Sequence, residues 1–148
     1  MPPGYGLRAD GEHLSWSWAE ERLVRSRSYW IASTRPDGRP HVMPLWGIWL
    51  DGAVVFGTDR GSRKARNLAA NPAVVVHLES GDEAVIIEGE AAEVIDAAEL
   101  QAADAAYKAK YNESLLGAPD DVIIYQVRPA VAFAWQESDF FTATRWRF

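Results

Sequence analysis

The feature that most constrains this chain is a succession of short apolar runs, rich in β-branched residues and cut by turn signals. Tyr29-Trp-Ile-Ala-Ser-Thr34 is the first run. It ends in Arg35-Pro-Asp-Gly-Arg-Pro40, where Pro36 presets φ and Gly38 tolerates positive φ. His41–Leu50 reads as the return strand, and Asp51-Gly52 marks a second hairpin before Ala53-Val-Val-Phe-Gly-Thr58. These runs predict a three-stranded meander. Ala73–Leu78, Ala84–Ile95, Val122–Val127 and Ala130–Gln136 continue the pattern, the last two separated at Arg128-Pro129. Gly89, inside the longest run, marks a bulge or a close backbone approach.

Three helices interrupt the strands. Ser17-Trp-Ala-Glu20 has the form of a capping box and starts a helix through about Arg27, with Trp18 and Leu23 along its sides. Residues 61–71 form the second, capped by Ser62 and stopped by Asn71-Pro72. Asp96-Ala-Ala-Glu99 opens the third, which runs to about Asn112 with Leu100, Ala103, Tyr107 and Tyr111 on one face and Pro119 beyond its end. Residues 1–14 show no period and read as an N-terminal arm; residues 15–148 read as one domain. Six or seven strands joined by hairpins, against three helices, predict a mainly β (α+β) antiparallel barrel or sandwich with helices over its open ends.

Composition sets the boundaries of function. The chain of 148 residues is long enough for one hydrophobic core without covalent staples, and its 48% apolar and 24% charged residues are a globular balance. There is no cysteine, which excludes disulfides, thiolate nucleophiles and Cys-ligated metal centres. No apolar run approaches the ~18 residues of a membrane span, and no secretory signal is visible, so a soluble cytoplasmic protein is the expectation. The net charge of −6 argues against nucleic-acid binding, which calls for a basic face. Yet Arg60-Gly-Ser-Arg-Lys-Ala-Arg66 carries four positive charges and no negative one. A compact basic spot on an acidic protein points to a local anionic ligand.

That spot lies in Thr58-Asp-Arg-Gly-Ser-Arg-Lys-Ala-Arg-Asn67, where a strand ends, a glycine turn follows and a helix begins. A helix N-terminus offers free N–H groups and the positive end of its dipole, which suit phosphate. Ser62 adds a hydroxyl, Arg63 a forked donor and Lys64 a point charge. The alternative is a solvated basic first turn, but cations there oppose the dipole and need a reason.

Gly61-Ser-Arg-Lys-Ala-Arg-Asn-Leu-Ala-Ala-Asn-Pro72, following Val55-Phe-Gly-Thr58, resembles the signature of the pyridoxamine 5′-phosphate oxidase-like superfamily. Gly89-Glu-Ala and Phe133-Ala-Trp135 are weaker supports, and the resemblance runs from about Tyr29 to Phe148. It implies a six-stranded split β-barrel, and a homodimer with cofactor sites at the subunit interface. It also implies that Arg63 and Lys64, assisted by Ser62 and Thr58, hold a cofactor phosphate. Met43, Pro44, Leu45 and Trp46 would run along the cofactor ring. Asn67, one helical turn past Arg63, would support the site. Trp135 would meet the ring from the other subunit, and Arg145 and Trp146 would close over the pocket. Pyridoxamine phosphate oxidases carry Arg-x-His near the C-terminus; here the tail is Arg145-Trp-Arg-Phe148, so pyridoxal chemistry is not implied. The short chain and Pro44-Leu-Trp46 look more like the actinobacterial branch, many of whose members use the deazaflavin coenzyme F420. Arg60, Arg63, Lys64 and Arg66 would suit the acidic tail of that coenzyme. The resemblance thus implies hydride transfer between F420 and a small unsaturated or quinone-like substrate, with an FMN enzyme or a non-catalytic cofactor carrier as alternatives.

Other candidates are weaker. His13, His41 and His77 show no ligand spacing, so no metal site is expected. His41 reads as an exposed strand-end histidine, with proton donation the alternative. Glu88 and Glu90 read as a solvated strand face, and Ser33 and Ser80 lack a nucleophile-elbow context. Trp16, Trp18, Trp30 and Trp49 read as packing.

Overall fold

The computed structural model describes residues 13–116 and 121–148. The expected N-terminal arm, apart from its last two residues, and Pro119, noted beyond the end of the third helix, lie outside the described residues. The element order is α1 (Trp16–Arg25), β1 (Tyr29–Thr34), β2 (Pro40–Leu45), β3 (Ile48–Leu50), β4 (Ala53–Asp59), α2 (Arg63–Ala70), β5 (Ala73–His77), β6 (Glu83–Glu93), α3 (Ala97–Tyr111), β7 (Val122–Gln136) and β8 (Asp139–Arg147). All strand pairs are antiparallel, in the order β2-β1-β5-β6-β7-β4-β3, with β8 added to β7. The architecture is the mainly β split barrel with flanking helices that the resemblance implies, but the described residues form eight strands rather than six, because His41–Leu50 divides at Gly47 and the tail adds β8.

The strand order decides the shape. β2 and β3 stand at opposite ends of the path, yet only Trp46 and Gly47 separate them in the chain. The sheet must therefore curl until its ends meet, leaving a seam that no ladder closes. This corrects the expectation of one strand over His41–Leu50 and of a meander. The chain breaks at Gly47 because a Cβ there would stand 2.7 Å from Cδ2 of the Tyr29 ring. Tyr111 Oη accepts the Gly47 N–H at 3.0 Å, and Lys110 Nζ donates to the Gly47 carbonyl at 2.7 Å. Burial pulls the Lys110 ammonium down to about 8.

Alternation along the strands fills the barrel. Tyr29, Ile31, Val54, Phe56, Val76, Val85, Ile87, Val127, Ala132 and Ala134 point inward and are essentially inaccessible. Each large side chain among them contributes roughly 1.5–3 kcal/mol by leaving water. A second cluster, with Ile48, Val55, Val94, Ala103, Leu115 and Ile124, lies beneath α3. Asp104 of α3 fastens the chain that follows, accepting from the Ser114 hydroxyl and the Leu115 N–H.

Local details differ from expectation for identifiable reasons. Ser15, not Ser17, caps α1: its Oγ accepts from the Trp18 N–H at 3.2 Å. β7 is one strand through Arg128-Pro129, because Pro129 stands opposite Gly89, where the register shifts between Glu88 and Gly89. A proline is tolerated where the ladder is already disrupted. β8 was not expected as a strand. Thr142, Thr144 and Trp146 alternate with exposed Phe141, Arg145 and Arg147, a period of two within an aromatic and basic tail.

Two stability measurements check this account. A Cβ on Gly89 would meet the Arg128 carbonyl oxygen at 2.4 Å, so Gly89→Val is expected to cost about 1–3 kcal/mol in urea unfolding. Ser15→Ala is expected to cost about 1 kcal/mol through loss of the cap, and Ser17→Ala clearly less.

Candidate functional site

The basic turn is built from the end of β4. Asp59 turns the chain by accepting the Gly61 N–H on its carboxylate at 2.6 Å and the Ser62 N–H on its carbonyl at 2.9 Å. Ser62 then caps α2, accepting from the Ala65 N–H at 3.1 Å, and its hydroxyl lies 3.1 Å from Thr58 Oγ1. The backbone N–H groups of Arg63 and Lys64 have no partner among the described residues. Their helix dipole end is not neutralised, since the first turn of α2 holds no acid.

Around this turn stand polar groups that the fold leaves without partners. Asn67 is fully buried; its Nδ2 donates to Ser33 Oγ at 3.1 Å and its Oδ1 meets nothing. Serine both donates and accepts, so the amide can pair with Ser33 either way round and present an N–H to a ligand. Ser33 on β1 stands opposite His41 on β2, whose buried Nδ1 also has no partner. Arg35, two residues past Ser33, buries an unpartnered Nε. Burial, Arg35, Lys64 and Arg63 together push the His41 imidazolium below the usual histidine range. Burial lowers Lys64 as well. An unpartnered buried polar atom is costly; three on one patch, beside two cations and a helix N-terminus, make a donor set suited to phosphate oxygens.

The other expected residues divide between the two faces of the sheet. Met43 and Leu45 pair with Ile31 and Tyr29 and share their inward face, yet Met43 is 49% exposed because β2 borders the seam. Pro44 pairs with Trp30 on the outer face. Trp46 lies over the seam, stacked on Tyr111 at 4.5 Å with ring planes 2° apart, and the Arg27 guanidinium is 5.2 Å from its ring. Trp135 and Arg145 are together on the outer face, where they, Phe133, Glu88 and Thr144 line a cavity of about 250 Å³. Trp146 points inward, 5.1 Å from the Trp16 ring, beside the α1 packing. Arg60 is committed to Glu93 at 3.1 Å, and Arg66 is exposed. Within one chain the basic turn and the Trp135 cavity are thus on opposite faces of the sheet.

Sequence reasoning missed Arg35 and read His41 as exposed. Strand parity held the missing signal. A five-residue connection between Thr34 and Pro40 returns His41 opposite Ser33, so both flank the strand end that α2 covers.

Among the described residues no group of three His, Asp or Glu could hold a metal ion, and no helix is long and apolar enough to cross a membrane.

Comparison with known proteins gives these residues a context. A search of curated proteins finds no match. Among solved structures the fold is similar to a conserved hypothetical protein, Rv2991, from Mycobacterium tuberculosis, with 24% identity, 88% of this chain and 89% of that chain covered, and a TM-score of 0.73. An F420 reductase matches at 23% identity over 89% of this chain and 98% of that one, with a TM-score of 0.63. A heme binding protein from Mycobacterium smegmatis matches at 20% identity over 90% of this chain and 59% of that one, with a TM-score of 0.74. These likenesses establish the fold. The sequence profile of the family described as Pyridoxamine 5′-phosphate oxidase matches residues 18–136, so the chain belongs to that family.

Proposed function

We propose that this chain binds coenzyme F420 and transfers hydride between it and a small unsaturated or quinone-like organic molecule in the cytoplasm. The observation that carries the reading is the patch of unpartnered buried atoms on Arg35, His41 and Asn67 beside Ser62, Arg63 and Lys64. In a folded chain such atoms are rare unless water or a ligand satisfies them, and three of them beside a cationic helix N-terminus suit an anionic ligand.

The chain's own residues then divide the work. Arg63, Lys64, Ser62 and Thr58 hold the phosphate, with Asn67 fixed on Ser33 behind them. Met43, Pro44 and Leu45 offer an edge strand for the ring, and Trp46 is held by Tyr111 at its end. Trp135 and Arg145 complete the site from a second copy of the chain, since the outer face that carries them is turned away from the basic turn of their own chain. Family members are commonly dimers, which supports this arrangement. Trp146 acts through packing against Trp16. The bound coenzyme supplies the hydride chemistry, and the protein supplies position and exclusion of water.

The Arg60–Glu93 ion pair supports a second reading, in which the cofactor is FMN. It removes one charge from the set that an acidic coenzyme tail would use, and FMN phosphate needs fewer. The third reading, a carrier that binds F420 or FMN without reducing anything, shares the same site.

A fluorescence titration with F420 and with FMN, run side by side, separates the first two, and turnover of quinone-like acceptors separates the first from the third. Under every reading, replacing Arg63 and Lys64 together with Ala is expected to weaken binding by about 2–5 kcal/mol, roughly 30- to several-thousand-fold. Unchanged affinity in the double variant contradicts the phosphate site. Sedimentation of the liganded protein as a monomer contradicts the contribution of Trp135 from a second copy.

A further inference from the structure

His41 is placed unlike an ordinary strand-end histidine. Its strand is an edge strand on which Met43, on the same face, is half exposed, yet His41 Nδ1 is buried without a partner. Across β1 it faces Ser33, whose hydroxyl is already joined to Asn67. The charges acting on it from the hairpin and from α2 are all positive: Arg35, Lys64 and Arg63. Asp37, the hairpin's carboxylate, is engaged by Arg39 at 2.8 Å.

We propose that binding of a phosphate-bearing ligand at Arg63 and Lys64 is coupled to uptake of one proton by His41, making this histidine a charge-matching ligand of the anion. The inference rests on the cofactor-binding reading above. Without a ligand, an added proton would place a fourth positive charge among three and leave a charged N–H in a buried position with no acceptor. Without a ligand the neutral imidazole is therefore favoured. An anion on the same patch reverses both terms: it offsets the three cations and provides the acceptor that Nδ1–H lacks. The proton comes from solvent and forms an N–H bond at Nδ1; nothing else changes hands.

The sign of the pH dependence follows. Below the pKa of His41 in the free protein the ring is protonated with or without ligand. Above its pKa in the complex it is neutral in both. Between the two, binding takes up a proton, so affinity rises as pH falls, by up to about tenfold per pH unit. A ligand phosphate drawn to cations titrates in the opposite sense, but its contribution is common to wild type and a His41 variant.

The test is isothermal titration of FMN and of F420 into wild type and His41→Gln, from pH 6 to 8, in pairs of non-phosphate buffers of different ionisation enthalpy. Wild type is expected to take up more protons than the variant, by a difference approaching one per site within the window. Its affinity should also rise more steeply on acidification. Equal proton counts and equal pH slopes in the two proteins, with both binding, overturn this proposal and leave the cofactor reading standing. Failure of both coenzymes to bind wild type at any pH overturns the two together. If His41→Gln does not fold, the imidazole Cε1–H resonance of wild-type His41 is titrated with and without FMN. A pKa raised by the ligand supports the coupling, and an unchanged pKa contradicts it.

Discussion

A connection of two residues governs this molecule. Trp46 and Gly47 carry the chain from one end strand of the sheet directly into the other, so the sheet has to curl and cannot seal. The Tyr111 hydroxyl sits within hydrogen-bonding distance of the Gly47 N–H, the Gly47 carbonyl and the Arg27 carbonyl, while Lys110 holds the Gly47 carbonyl from beside it. One hydroxyl proton serves one carbonyl at a time, and the ammonium covers the Gly47 oxygen in either state. α3 thus does more than shield the second hydrophobic cluster. Its last turn pins the seam.

The functional patch follows from that geometry. Because β2 remains an edge, its inward face is not fully covered, and polar residues there can be at once buried by α2 and reachable along the seam. α2 brings Asn67 down onto Ser33, Ser33 faces His41, and the same helix turns its cationic N-terminus toward the hairpin that carries Arg35. The basic residues of 60–66 do not act as one block. Arg60 is spent on Glu93 and Arg66 faces solvent, so the charge directed at the patch is that of Arg63 and Lys64.

Much of this was legible in the sequence wherever the signal is local. β1, β4 and β5, the bounds of α2, its Ser62 cap and the bulge at Gly89 all follow from short-range chemistry, and the structure has them there. What was not legible depends on tertiary partners. The end of β2 needs the Tyr29 ring, which excludes a Cβ from Gly47. The passage of β7 through Pro129 needs the bulge on β6, and the cap of α1 at Ser15 has a near-equivalent hydroxyl two residues on. The role of His41 depends on which residue faces it across a hairpin, a matter of register that a turn motif alone leaves open.

The central claim is that this protein recognises a flavin-type coenzyme through its phosphate. The most direct measurement compares the affinity for each coenzyme with that for the same ring lacking phosphate: FMN against riboflavin, and F420 against its phosphate-free deazaflavin. The account predicts that, for the ring the protein accepts, the phosphorylated form binds tighter by about two orders of magnitude or more, the worth of two charge-assisted hydrogen bonds. Equal affinity for the two forms would contradict it.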